Sequence, residues 1–222
     1  MNTLEIQTIN LDHFLPMETI GYINPEKRER GKPDFKAFSH QLHLCLGAFT
    51  GDWFLKLRKP HFQKKTDTWQ PEQCVELLKS IIGGAVIPAI HLIHPEKNGN
   101  YYVLDGAHRL STIRAWVTDD WGDESDPESA LYTRQMVERE IGSFQAFEQA
   151  YENWNTCREK GNQPEQTMSE TELERAQFIA VFREDKPLLR AMVTWLEPQY
   201  ASIVFNNDPE SGFKFSPHDS KA

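Results

Sequence analysis

The 222-residue chain has no run of about eighteen apolar residues, so no segment is expected to cross a membrane. Its first stretch, MNTLEIQTINLDHFLP, lacks a basic patch followed by an apolar core, and a secretory leader is not expected. Cysteine is scarce. Cys45, Cys74 and Cys157 are scattered without a C-x-x-C pair, which argues against a disulfide framework and for free thiols in a reducing cytoplasm. No G-x-x-x-x-G-K-[ST], no G-x-G-x-x-G after a strand and no G-x-S-x-G occurs, so P-loop, dinucleotide-fold and α/β-hydrolase chemistry have no sequence support. Internal repeats and low-complexity runs are also missing.

Present in quantity are apolar residues and acid. Thirteen phenylalanines supply ample material for a packed core. The net charge of −9 is unevenly spread: through Arg114 the chain carries 14 basic against 12 acidic residues, and beyond it 10 against 21. An anionic ligand is therefore expected to meet the first half. The acidic second half would repel a nucleic-acid backbone, which argues against extended non-specific DNA binding.

Patterning predicts an α+β fold. PEQCVELLKSIIGG reads as a helix, with Pro71 in the first turn, an apolar stripe of Cys74, Val75, Leu77, Leu78, Ile81 and Ile82, and a stop at Gly83 and Gly84. A strand is expected from about Val86 to Ile93, a hairpin turn at Asn98 and Gly99, a returning strand over Tyr101 to Leu104, and a helix from Ala107 to about Trp121. Asn24 to Phe38 reads as a loop with a short helix; Phe38 to Phe54 fits strand or helix equally. After an acidic loop near Asp119 to Ser129, Tyr132 to Lys160 and Ser169 to Leu196 have helical spacing. The expected organisation is a mixed-sheet domain over 1–121 and a mostly helical segment over 122–222.

The chemistry concentrates in YYVLDGAHRLSTIRAW, where a strand runs straight into Asp105-Gly106-Ala107-His108-Arg109. A helix starting near Ala107 presents unpaired backbone N–H groups at that junction. Gly106 permits close approach of another molecule, Arg109 offers a bidentate cation for phosphate or carboxylate, and His108 donates to an anion or relays a proton. Asp105 suits a helix cap, a metal accompanying a phosphate, or activation of water. Ser111 and Thr112 add hydroxyls. The same residues also suit an ordinary capped helix in which Arg109 pairs with its own acid.

VLDGAHRLSTI resembles the D-G-x-x-R motif of the ParB/sulfiredoxin-like superfamily. The preceding HFQKKTDTW and PEQCVELLKSIIGGAVIPAIHLI resemble the F-Q-R…W, helix, S-I…G…I-P pattern found ahead of D-G-Q-Q-R in the GmrS-type domain of GmrSD-type modification-dependent restriction systems. EREIGSF resembles a piece of the helical continuation of some members.

The resemblance covers Pro60 to Trp121. It implies a nucleoside triphosphate bound and hydrolysed with Mg in anti-phage defence. Residue by residue it puts Asp105, Gly106, His108 and Arg109 on the D-G-Q-Q-R site, Gln63 and Lys64 on the upstream Gln-Arg, and Trp69 on the upstream Trp. Asp105, His108 and Arg109 are then the expected catalytic residues, with Asp105 as the metal contact. Gln63, Lys64, Gly106, Ala107, Ser111 and Thr112 are the expected nucleotide contacts.

Two departures bear on this. Ala107 and His108 replace two glutamines, and Lys64 replaces an arginine, exchanging a flat fork for a point charge. The implied partners are the nucleotide and a separate nuclease or effector protein, since nothing after Trp121 carries an H…N…H nuclease signature; DNA contact is left open and self-association is allowed. The basic run Lys56, Arg58, Lys59, Lys64 and Lys65 is expected either to serve the same phosphates or to be a solvated face. A non-catalytic nucleotide sensor or protein-interaction module is the rival reading.

Four other signals read as structure. His40, His43 and Cys45 lack a second metal-binding pair, and His91 and His94 fall at a strand end. The acids between Asp119 and Asp126 lack a calcium-loop pattern, and Phe144, Phe147, Tyr151 and Trp154 suit a core.

Overall fold

The computed structural model describes residues 8–18, 39–60, 65–95, 99–184 and 188–196. Gln63 and Lys64 lie outside these residues, as do the side chains of His40 and His43 and the expected loop at 24–38. The fold is α+β, as the patterning predicts. Among the described residues six strands, β1 (Met17–Glu18), β2 (Ser39–Leu44), β3 (Leu57–Pro60), β4 (Ile90–Pro95), β5 (Tyr101–Asp105) and β6 (Leu189–Leu196), form one mixed sheet in the order β1-β3-β5-β4-β6-β2. Helices α1 (Leu46–Thr50), α2 (Pro71–Ile82), α3 (Ala107–Thr118), α4 (Pro127–Glu140), α5 (Phe144–Glu159), α6 (Pro164–Thr167) and α7 (Glu170–Glu184) account for most of the remainder.

Helix α2 begins and ends where its residues dictate. Pro71 takes the first turn, the Gln73 side chain accepts the Gln70 N–H at 2.9 Å, and a reciprocal bond completes a capping box. Cys74, Val75, Leu77, Leu78 and Ile81 are buried on one face, worth roughly 1.5–3 kcal/mol for each large side chain removed from water. The Cys74 thiol sits 3.5 Å from the Thr112 hydroxyl, and burial, the dominant influence, pushes its pKa up to about 11. It is a core thiol. All three cysteines are unpaired.

The stretch that fits strand or helix equally contains both: β2 runs over 39–44 and α1 over 46–50. The helical spacing over Tyr132 to Lys160 is realised as α4 and α5, separated where Gly142 (φ +112°) interrupts the run and Ser143 caps α5, its hydroxyl accepting the Ala146 N–H at 3.3 Å. Arg175 donates to the Ile141 carbonyl at 3.0 Å and so satisfies the end of α4. The helical reading of Ser169 to Leu196 fails at its end: α7 stops at Glu184, and Leu189–Leu196 is β6, parallel to β4 and antiparallel to β2. A short segment that joins a sheet through distant partners can share its local spacing with a helix.

Phe144 and Phe147 are core, as predicted, meeting Trp116 edge-on at 5.1 and 5.2 Å, while Tyr151 and Trp154 are half-buried. Trp116 also donates to the Gly142 carbonyl at 3.1 Å. The acidic loop is organised rather than merely solvated. Arg134 pairs with Asp119 at 2.9 Å and Asp123 at 2.8 Å, and its hydrogen bond holds the Asp123 carboxyl below the usual carboxylate range.

No helix among the described residues is long and apolar enough to cross a membrane.

Candidate functional site

Sheet direction brings the two quoted motifs together. Strands β3 and β5 are parallel, with Leu57 opposite Tyr101 and Arg58 opposite Tyr102, so the chain leaving each strand emerges at the same edge. Strand β4 is antiparallel to β5 with His91 opposite Asp105, so the chain entering β4 starts at that edge too. Segments 65–69, 106–109 and 85–89 therefore converge outside the carboxyl ends of parallel strands, the usual place for a ligand in a sheet of this kind.

At the tip of α3 the first helical cap is Gly106, not Asp105. Gly106 has φ +96° and no side-chain cap, and Asp105 is the last residue of β5. A Cβ on Gly106 would run into Ile90 Cγ2 and lie 3.3 Å from an Arg109 nitrogen. The glycine is thus required by its own fold, with close packing and a left-handed backbone both demanding it. Arg109 donates to Asp105 Oδ2 at 2.8 Å and to the carbonyl of Pro88, and its side chain is only 14% exposed against 63% for Asp105. The pairing that an ordinary helix would make is made.

Ser111 and Thr112 are misplaced by the sequence reading: both are fully buried on the inward face of α3, Thr112 against Cys74, so neither hydroxyl reaches the junction. Ala107 is also buried, leaving its backbone as the group it can offer.

His108 is different. Its ring stacks on Trp69, centroids 5.2 Å apart and planes 16° from parallel, and its Nε2 lies 3.0 Å from the Thr68 hydroxyl. Trp69 was expected from the upstream motif; the structure seats it on the histidine of the downstream one.

Beside this stack lies a pair that the sequence did not single out. Lys59 is completely buried, and its ammonium contacts Asp12 Oδ1. The same oxygen accepts the Thr66 N–H at 2.6 Å and the Thr66 hydroxyl at 2.7 Å. Burial is the largest influence on Asp12 and pushes its pKa up, but Lys59 and the two Thr66 donors outweigh it and hold the carboxyl below its ordinary range. Burial and then the Lys59 charge push the His108 pKa down, against smaller opposing effects of Asp12 and Asp67. The imidazole is therefore neutral at neutral pH, a proton acceptor rather than a cation.

The basic run does not act as a unit. Lys59 points into the protein, and Arg58 pairs with Glu18 at 3.2 Å and donates to the carbonyls of Leu55 and Leu57, while Lys56 and Lys65 are exposed. Lys59 was visible only as one of several cations, and Asp12, in NLDHF, gave no signal at all. Thr66 and Thr68 lay inside the quoted HFQKKTDTW without being weighed.

Among the described residues no three His, Cys, Asp or Glu side chains are grouped to hold an ion. Asp105, the expected ligand, already gives Oδ2 to Arg109. What remains is one exposed carboxylate oxygen, enough for a single contact to an ion carried in on phosphates.

The family model described as "GmrSD restriction endonuclease, N-terminal domain" matches residues 49–215, about three-quarters of the chain. No curated protein and no solved structure matches.

Proposed function

The chain belongs to the family of GmrSD restriction endonuclease N-terminal domains, whose setting is DNA restriction and defence against phage, and from that premise we propose that the tip of α3 binds a nucleoside triphosphate and promotes its hydrolysis. The observation that carries the proposal is the convergence of both motifs at one sheet edge, with His108 stacked on Trp69 beside the N-terminus of α3. Backbone N–H groups of Ala107 to Arg109 suit phosphate oxygens, and the helix dipole favours negative charge there.

Each side chain then has a task its surroundings allow. Arg109, held at the rim by Asp105, exchanges that carboxylate for phosphate oxygens. His108, neutral and hydrogen-bonded to Thr68, takes a proton from the attacking water as the water's oxygen bonds to the terminal phosphorus. The bond to the leaving nucleoside diphosphate then breaks. Asp105, once released from Arg109, positions that water or touches magnesium bound to the phosphates. Magnesium supplies charge neutralisation on those phosphates when it accompanies the nucleotide. Gln63 and Lys64 complete the nucleotide contacts, and a separate nuclease or effector reads the bound state.

A second reading, a nucleotide sensor without turnover, draws on one observation: both donor arms of Arg109 are already spent on Asp105 and Pro88. The test uses the purified full chain, wild type and Arg109→Ala, with calorimetric binding of Mg–nucleotides and measured phosphate release. Arg109→Ala is expected to weaken binding roughly tenfold or more, since a charge-assisted hydrogen bond contributes about 1.5–3 kcal/mol. Phosphate release should fall with it. Turnover untouched by the substitution removes this site from catalysis; tight binding without phosphate release selects the sensor.

A further inference from the structure

We infer that the ion pair between half-buried Asp12 and fully buried Lys59 is a positioning device for the His108 wall, which makes the N-terminal segment ahead of the family match part of the site. The match begins at residue 49, whereas Asp12 lies well before it. A fully buried ammonium is costly unless paired, and replacing such a pair by apolar residues is often neutral, so stability alone is a weak reason to keep one. Its location supplies a better reason.

One carboxylate oxygen of Asp12 accepts three donors: Lys59 Nζ from β3, and the Thr66 N–H and hydroxyl from the segment leading to Thr68 and Trp69. That segment is tied to the N-terminal one at both ends, by Leu11 N–H to the Thr66 carbonyl at 3.1 Å and Ile9 N–H to the Trp69 carbonyl at 2.9 Å. The N-terminal segment is in turn anchored to the first turn of α4 and to the loop after α3. Ser129 donates to the Thr8 carbonyl at 2.8 Å, and His13 meets Asp120 at 3.1 Å. Residues 8–12 thus hold Thr66 to Trp69 in one register against His108.

The pair also sets the electrostatics of the imidazole. The charged groups acting on His108 come from three places: Lys59 on β3, Asp12 in the turn before β1, and Asp67 in the segment between β3 and α2. On α3 itself Arg109 is neutralised by Asp105. Lys59 disfavours a proton on His108, and Asp12 keeps that ammonium buried while partly offsetting it. Geometry and charge therefore serve the same end, an uncharged ring lying flat on Trp69.

The inference rests on His108 facing the ligand, so its test is made without ligand and fails separately from the nucleotide proposal. The experiment is two-dimensional NMR of the His108 ring in the full chain, titrated with pH. The wild-type ring protons should be shifted upfield by the Trp69 indole. Lys59→Met keeps the buried stem and removes the charge, and should raise the His108 midpoint by roughly half a unit or more. Asp12→Ala should abolish the upfield shift. Thr66→Val, which removes one hydroxyl donor and keeps the side-chain shape, should reduce that shift and carries the geometric arm if Asp12→Ala does not fold. An unmoved midpoint in Lys59→Met, or an upfield shift intact in Thr66→Val and Asp12→Ala, overturns the inference. On the same samples, wild-type protein that binds no nucleotide removes the nucleotide reading, and the ring data still decide what the pair does.

Discussion

The two sides of the α3 tip are built on different physics. On one side Asp105, Gly106 and Arg109 lie within five consecutive residues, and their arrangement is local: a left-handed glycine, a strand end and an i,i+4 ion pair. On the other, His108 is met by Trp69 and Thr68, which are held by Thr66, which is held by Asp12, which is paired with Lys59. On the first side Asp105 is exposed, while Arg109 is largely covered and reaches beyond the motif only to the Pro88 carbonyl. The second is partly buried and depends on contacts reaching across nearly a hundred positions. A local device can rearrange when a ligand arrives; a remote one gives a fixed surface against which the ligand is placed.

This contrast can be broken most sharply at Gly106, the residue that starts α3. Gly106→Ala would force a Cβ into Ile90 and hold alanine at φ +96°. Strain and overlap together should cost about 4 kcal/mol, read as a large fall in the denaturation midpoint. A nearly unchanged midpoint would mean that Ile90 and the α3 tip separate freely, and the fixed-surface picture would be lost.

The next largest effect compares the two ion pairs directly. Asp12→Ala leaves a buried ammonium without its partner and should destabilise the chain by roughly 3 kcal/mol. Asp105→Ala removes a carboxylate that is 63% exposed, so solvent screening leaves only about 0.5 kcal/mol at stake. Urea titration of the two variants side by side measures the difference. Equal losses would erase the distinction between a local pair and a remote one.

How much of this was legible in the sequence follows the same division. Helix α2 has a period of 3.6, a proline at its start and glycines at its end, and its expected and observed bounds coincide at 71–82. The returning strand and the helix start at Ala107 were equally plain, because glycine punctuates them. The strand before them starts four residues later than expected and ends two later, at 90–95, since Pro88 delays pairing. Strand β6 was hidden because its pairing with β2 and β4, which makes it a strand, comes from residues far away in the sequence. In the site, the family resemblance put His108 and Trp69 in their motifs but gave no sign that they touch. Asp12 was invisible, for a lone acid in NLDHF has no pattern; its importance comes from a partner 47 positions away. Ser111 and Thr112 went astray for a simpler reason. Adjacency to a motif says nothing about which face of a helix a side chain takes, and α3 turns theirs inward.

The smallest effect is also the most diagnostic, because its sign is fixed by the histidine side alone. The His108 pKa lies below its ordinary value of 6.5 in the folded chain, chiefly through burial and then through Lys59. Between that folded value and 6.5 the unfolded chain binds a proton that the folded chain refuses, so stability must fall as pH drops through this window. Above 6.5 both states are neutral and the term vanishes; below the folded value it has reached its full size. The carboxylate of Asp12 acts in a separate range, since its folded pKa lies below 3.8 and its stabilisation is lost only as pH falls through that lower value. Unfolding midpoints measured across mildly acidic pH should therefore decline in the wild type and decline less in His108→Gln, which keeps a polar side chain and cannot titrate. If the two profiles run parallel, burial and the Lys59 charge do not reach the imidazole, and the wall beside α3 is no more than packed surface.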